Sequence, residues 1–279
     1  MPMARSLPSA RSMEQVLEHY SIEKALASKL RDAPREARRE LYTKVYDELL
    51  ERVPHHPLLH SRRTPEQIQH QVTNRLAYLA PYIDPDTVFL DIGAGGCHLS
   101  MALSSRVKRV IAVDVSNAMT DHVKPAANFQ LVISDGTSIP VPSGSVDVAF
   151  SDQLMEHLHP DDAAEQLREI HKALSPRGIY LVVTPNRMSG PHDVSRGFDP
   201  IATGLHLHEY TVKELDGLLK QVGFRQTQVI LPVGNVRIPL WIVTAMEATL
   251  SALPGALARK IAYFRPMRGF LGIRLIARK

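Results

Sequence analysis

The 279-residue sequence has a single cysteine, Cys97, so no disulfide can form within the chain. That fits a reducing, cytoplasmic setting. Aromatic residues make up 6% of the chain and are not interleaved with basic ones. The stacking platform of a single-strand binder is therefore missing, and no nucleic-acid partner is expected. Long apolar runs are also missing. The most apolar stretch, residues 229–253, is broken by Pro232, Asn235, Arg237, Pro239 and Glu247. A spanning helix wants about 20 mostly apolar residues, so no membrane span is expected. Near the N-terminus, Arg5 and Arg11 are not followed by the apolar core of a signal peptide. Acid is absent from residue 248 onward, where Arg259, Lys260, Arg265, Arg268, Arg274, Arg278 and Lys279 are all basic. A basic, apolar end is compatible with an ordinary solvated rim, peripheral membrane contact or a homodimer surface.

What is present is enough apolar material, 44%, for one sizeable domain and an appendage. Residues 1–12 read as a loose tail. Residues 12–30, 35–53 and 65–79 carry apolar side chains at helical spacing, with a break at Pro54-His55-His56-Pro57 and Thr64 as an N-cap before Pro65. Residues 1–80 are therefore expected to form a helical cap or lid, ahead of a second domain over 81–279. From Thr87 the rhythm changes. Short apolar runs at 88–92, 109–115, 129–134, 146–151 and 178–184 mostly alternate with helical patterns, including 161–174, which predicts parallel strands joined by right-handed crossovers. A helix over 211–222 and strands over 225–231 and 272–278 close the chain.

The strongest local signal is Phe89-Leu90-Asp91-Ile92-Gly93-Ala94-Gly95-Gly96, a buried strand running into a glycine turn. Glycine lets backbone pass close to a ligand, but such a turn alone also suits a plain structural bend or a nicotinamide site. Asp114 follows about 20 residues later at the next strand end, where nucleoside-binding folds place an acid for ribose hydroxyls. Ser134-Asp135-Gly136 ends the third strand. An acid there could accept from the adenine amine, or simply form a turn.

Together with Val113-Asp114-Val115-Ser116, Val146-Asp147-Val148-Ala149-Phe150-Ser151, Met155-Glu156-His157-Leu158, Leu174-Ser175-Pro176-Arg177-Gly178 and Thr184-Pro185-Asn186-Arg187, these pieces resemble the class I S-adenosylmethionine-dependent methyltransferases. The closest likeness is to the small-molecule type, the methyltransferase 11 and ubiquinone-biosynthesis group. The resemblance covers about half the chain. It implies an α/β fold: a Rossmann-like, seven-stranded, mostly parallel sheet with helices on both faces and its last strand antiparallel. It implies S-adenosyl-L-methionine as cofactor, held by Asp91, Gly93, Gly95, Asp114, Val115, Asp135, Gly136 and Ser151. One departure is Cys97, where the family usually has a third glycine.

The resemblance implies methyl transfer by in-line displacement to a small-molecule acceptor, on oxygen, nitrogen or carbon. Natural products and lipid-like metabolites are acceptors of this kind. The candidate bases are His157 and His206, which follow strand ends and titrate near neutrality. Asp152, His192, His208 and Trp241 are candidates to contact the acceptor, with residues 185–210 and 232–268 as the variable acceptor-side segments. Glu156, His157 and Asp152 resemble a metal set of some quinone relatives. Their spacing is not diagnostic, and no metal is expected. The Asn/Asp-Pro-Pro-aromatic motif of base-amine methyltransferases is missing after Ser151, which reads Asp152-Gln153-Leu154. Two rival readings remain: a non-catalytic methyltransferase-like partner and a nicotinamide-dependent oxidoreductase.

Overall fold

Strand and helix periods sort the apolar residues onto two faces of one sheet. A computed structural model describes residues 11–60, 64–116, 120, 126–232 and 234–279; residues 1–10 of the expected tail lie outside these. Strands β1 (Val88–Ile92), β2 (Arg109–Asp114), β3 (Phe129–Ile133), β4 (Val146–Asp152), β5 (Leu174–Thr184), β6 (Gln226–Ile230), β7 (Arg237–Ile238) and β8 (Ile273–Arg278) form a sheet of order β3-β2-β1-β4-β5-β8-β6-β7. The pairs among β1 to β5 are parallel, and β8 lies antiparallel between β5 and β6. The expected sheet is present, with one addition: the two-residue strand β7 pairs antiparallel on the outer edge of β6. Strand β5 also begins four residues before the run at 178–184, through a register shift between Val146 and Val148.

Alternation along the strands separates two cores. Leu90, Ile92, Ile111, Val113, Tyr180 and Val182 face one side. They pack with α1 (Met13–Asp32), α2 (Arg35–Arg52), α6 (Pro160–Ala173) and α7 (Val212–Val222). Phe89, Val110, Ile179 and Leu181 face the other, against Tyr78 and Leu79 of α4 (Pro65–Leu79) and Leu99 and Leu103 of α5 (His98–Leu103). A single turn, α3 (Pro57–His60), lies between α2 and α4.

Capping sets the helix starts. Ser12 with Gln15, Thr64 with Gln67, and Thr211 with Glu214 each form a reciprocal capping box. The three long N-terminal helices do not act alike: α4 packs on α5 at the flank of the sheet, while α1 and α2 join the core beneath the opposite face. The segment 232–268, read only as variable, contains β7, α8 (Leu240–Ser251), α9 (Gly255–Ala262) and the start of α10 (Arg265–Leu271). Among the described residues no helix is long and apolar enough to cross a membrane.

Candidate cofactor and acceptor site

At the ends of β1 and β2 the chain turns through Gly93 (φ +71°) and Gly95 (φ +52°). Both values lie in the left-handed region that favours glycine. A Cβ on Gly93 would sit 3.1 Å from the Leu154 side chain. The Gly93 N–H donates to the Val113 carbonyl at 2.8 Å, which holds the turn beside the end of β2. There the Asp114 carboxylate accepts from the Gly95 N–H at 2.7 Å and the Ser116 N–H at 3.2 Å. A carboxylate has about four lone-pair positions, so Asp114 is fixed in place with capacity left for two hydroxyls. Gly136 (φ +88°) completes the row at the end of β3.

These positions open onto a cavity of about 340 Å³. Its floor includes Ile92, Gly93, Asp114, Val115, Ser134 and Gly136, and its roof is Leu30 of α1 with Tyr42, Val45, Tyr46 and Leu50 of α2. The roof is clamped down. The Arg38 guanidinium donates to both oxygens of Asp162 at 2.6 and 2.8 Å, with both side chains almost wholly buried. The Tyr42 hydroxyl donates to the same carboxylate and accepts from the His159 N–H, each at 2.8 Å. Burial pushes the Asp162 carboxyl upward, but the Arg38 and Tyr42 hydrogen bonds outweigh it and hold it below its ordinary range. A second clamp joins α1 to residues 203–206. Arg31 donates to the carbonyls of Thr203, Gly204 and His206, and Glu23 accepts from the Leu205 N–H at 2.9 Å.

His157 lines the cavity between floor and roof. Its Nδ1 lies 3.0 Å from the Leu205 carbonyl and 3.0 Å from the Tyr46 hydroxyl. A carbonyl can only accept, so Nδ1 carries the proton and Nε2 the lone pair. Burial drives the His157 pKa down to about 4, which keeps the ring neutral. Behind it, Glu156 is fully buried. One oxygen accepts from Thr184 Oγ1 at 2.8 Å, and the other has no partner among the described residues. Burial raises its pKa to about 7, against the pull of nearby His206. His206 does not reach the cavity. Its ring edges against His157, centroids 4.8 Å apart, while Nδ1 meets Glu209 at 2.8 Å. Burial opposes the charged ring, but the Glu209 bond wins and raises the His206 pKa. Glu156, His157 and His206 each offer a ligand atom within 4.8 Å of the others. The protonation that Glu209 favours on His206 works against a cation there.

The remaining expected site residues are placed as follows. Asp91 is buried and accepts from Ser100 Oγ at 2.5 Å, tying β1 to α5, and burial raises its pKa to about 6. Gly95 supports Asp114 rather than lining the cavity. Asp135 differs from the expectation. Its carboxylate turns back to accept from the Thr137 and Ser138 backbone N–H groups and both their hydroxyls, and these bonds outweigh burial and pull its pKa down to about 2. Ser151 is fully buried against the Tyr180 hydroxyl at 2.6 Å. Asp152 is paired with Arg75 of α4 at 2.5 Å. His192 packs against Glu209. The His208 N–H donates to the Glu156 carbonyl, and its ring rests on Tyr210. Trp241 does not line this cavity; it is exposed at the start of α8. Cys97, in place of a third glycine, itself adopts φ +55°, and burial pushes its thiol up to about 11, so it stays protonated.

Sequence reasoning missed Tyr42, Tyr46 and Gln166. Two tyrosines four residues apart on a charged helix were the available sign of the first two. Gln166 of α6 lines the cavity, donating from Nε2 to the Gly136 carbonyl at 2.7 Å, and its buried Oε1 has no partner among the described residues.

Comparison with known proteins now bears on this cavity. Residues 90–182 match the family model described as a methyltransferase domain. This segment is similar to S-adenosylmethionine-dependent methyltransferases. A Mycolicibacterium smegmatis protein named "probable S-adenosylmethionine-dependent methyltransferase" is 34% identical over 137 residues, 48% of this chain and 51% of the relative. A malonyl-[acyl-carrier protein] O-methyltransferase of Xylella fastidiosa is 30% identical over 130 residues, 44% of this chain and 43% of the relative. The chain spans about half the length of these relatives. An S-adenosylmethionine-dependent methyltransferase from Archaeoglobus fulgidus has the same fold, with a TM-score of 0.50 at 19% identity over 76% of this chain and 94% of that one. S-adenosylmethionine is the cofactor in the names of such relatives. The residues present suit it: two glycines in left-handed backbone at the turn, a fixed carboxylate with spare lone pairs, and an orphaned amide oxygen beside Gly136.

Proposed function

We propose that this chain transfers a methyl group from S-adenosylmethionine to a small-molecule acceptor held under α2, against His157. The observation that carries the reading is a single roofed cavity lined by Gly93, Asp114, Gly136 and His157. The cofactor supplies a methyl group already activated by a sulfonium charge, so the chain's own part is placement and exclusion of water.

Each residue then has a task. Asp114 accepts from the ribose hydroxyls and is held for this by Gly95 and Ser116. Gln166 Oε1 takes the adenine amine, in the place first given to Asp135, while Ser134 and Ser138 supply the rest of that polar edge. Val115 flanks the ring. Tyr46 and Leu205 orient His157, whose Nε2 faces an acceptor proton. With a pKa near 4 the ring is a neutral hydrogen-bond acceptor and a weak base. It suits a hydroxyl or amine that loses its proton late in the displacement. Glu156, poised near neutrality behind it, is the charge that steadies a protonated His157. The roof's Leu30, Val45 and Leu50 favour an acceptor with an apolar body. The N-terminal lid on this reading is α1 and α2, with α4 belonging to the flank of the sheet.

A crystal structure of the full chain with S-adenosylhomocysteine tests this directly. The expected pose has ribose on Asp114, adenine between Val115 and Gln166, and sulfur directed toward His157. A nucleoside bound elsewhere, or in the reverse direction, overturns it.

A further inference from the structure

Exposed Trp241 belongs to a larger surface. Helix α8 places Trp241, Ala245 and Ala248 at positions i, i+4 and i+7, one stripe that the capping residue Ala252 continues at i+11, and all four are exposed. The one acid on this helix, Glu247, points inward and is consumed there. It accepts from Asn186 Nδ2 at 2.8 Å and from the Val212 N–H at 2.7 Å. The stripe therefore carries no charge. Beyond it, Leu257 on α9 and Phe264 before α10 are 46% and 65% exposed, and Trp241 is 68% exposed. Arg259, Lys260 and Arg265 are exposed between and beside them. No acidic residue follows Glu247 in the chain.

Uncharged helix face, protruding aromatics and unopposed cations are the components of an interfacial anchor. Large apolar side chains enter the headgroup boundary while Arg and Lys meet anionic headgroups. We propose that α8–α10 seat this protein on an anionic lipid surface. A second copy of the chain is the poorer occupant, because a two-fold contact would set Arg259, Lys260 and Arg265 against a matching basic face. The helices are firmly mounted. Leu250, Ala262 and Leu271 form their own buried cluster. The Tyr263 hydroxyl donates to the Gly190 carbonyl at 2.8 Å, and Asn186 donates to the Leu271 carbonyl at 2.9 Å. Gly190 lies against Glu209, which holds His206 beside His157. The buried side of this segment thus connects through Glu209 and His206 to His157, although the surface argument does not depend on the methyl-transfer reading.

Trp241 is the single tryptophan of the chain, so its fluorescence reports this contact in the unmodified protein. The full chain is mixed with vesicles of phosphatidylcholine alone and of phosphatidylcholine with phosphatidylglycerol, with co-sedimentation measured in parallel. The expected result is a blue-shifted emission and sedimentation with the anionic vesicles only, weakening as salt rises. Replacing Arg259, Lys260 and Arg265 with glutamine should weaken partitioning about fivefold for each charge removed. Phe264→Ser should reduce the blue shift while leaving the circular dichroism unchanged. No shift with anionic vesicles, or equal binding to neutral ones, overturns the proposal. So does a blue-shifted emission without vesicles accompanied by a doubled mass, which would mark a dimer. The salt titration needs no variant, so a substitution that fails to fold leaves the test standing.

Discussion

Glu156 sits where a carboxyl is costly to ionise: it is fully buried, with one oxygen unpartnered among the described residues. A pKa of about 7 means that the folded state keeps this proton over a range where the unfolded chain, near 4.5, has released it. Stability from this group is therefore full below about 4.5 and is lost as pH rises toward 7, by roughly 3 kcal/mol at most. Glu156→Gln should raise the urea midpoint at about pH 8, and the gain should shrink to nothing near pH 4.5. A gain independent of pH would contradict the assignment. Gln166 makes a second residue-scale case. Its amide was not legible as a site residue, because a glutamine within an amphipathic helix carries no motif. The Ser134-Asp135-Gly136 motif pointed to Asp135 instead, whose carboxylate folds back on its own turn. Gln166→Leu should weaken S-adenosylhomocysteine binding about tenfold by removing one buried acceptor. Calorimetry showing an unchanged Kd would return the adenine edge to another group.

At the scale of elements, α2 is the part on which the cavity most depends. Its helical period was readable from Leu41, Val45 and Leu49, as were its ends at Pro34 and Pro54. Its docking was not readable, because Arg38 and Asp162 are 124 residues apart in sequence and each looks like an ordinary surface charge. Arg38→Ala would leave Asp162 buried without its cation, a change that costs about 3–5 kcal/mol in such pairs. Hydrogen exchange should then rise over residues 35–52 while β1, β4 and β5 stay protected. Unchanged protection of α2 would show that the clamp is not what holds the roof. The glycine turn is the opposite case. Gly93 and Gly95 were legible because backbone geometry there admits few residues, whereas α8 was not, because its evenly apolar stretch has no clear helical phase.

Across the whole molecule, buried His56 and half-buried His157 shape acid stability. Burial lowers both His157 and His56 to about 4. The unfolded chain takes up these two protons near 6.5, so stability is full above that pH and falls as pH drops from about 6.5 toward 4. Over the same window Glu156 acts in the opposite sense, by one proton. The slope of unfolding free energy against pH should therefore be steeper by about one proton in Glu156→Gln than in the parent chain. Equal slopes would mean that Glu156 does not titrate as its burial implies. Alternating runs and strand-end motifs made the order of elements and the parallel sheet readable, together with the row Gly93, Asp114 and Gly136. The roof, the orphaned Gln166 oxygen and the exposed setting of Trp241 depend on contacts between distant segments, which periodicity does not encode.

The central claim is that these strand ends, closed over by α2, form one nucleoside site. Isothermal titration of the full chain and of Asp114→Ala with S-adenosylhomocysteine tests it most directly. The account predicts one binding site per chain, with affinity at least tenfold weaker in the variant because a charged acceptor of two hydroxyls is gone. No heat of binding in the parent chain, or equal affinity in both proteins, would contradict it.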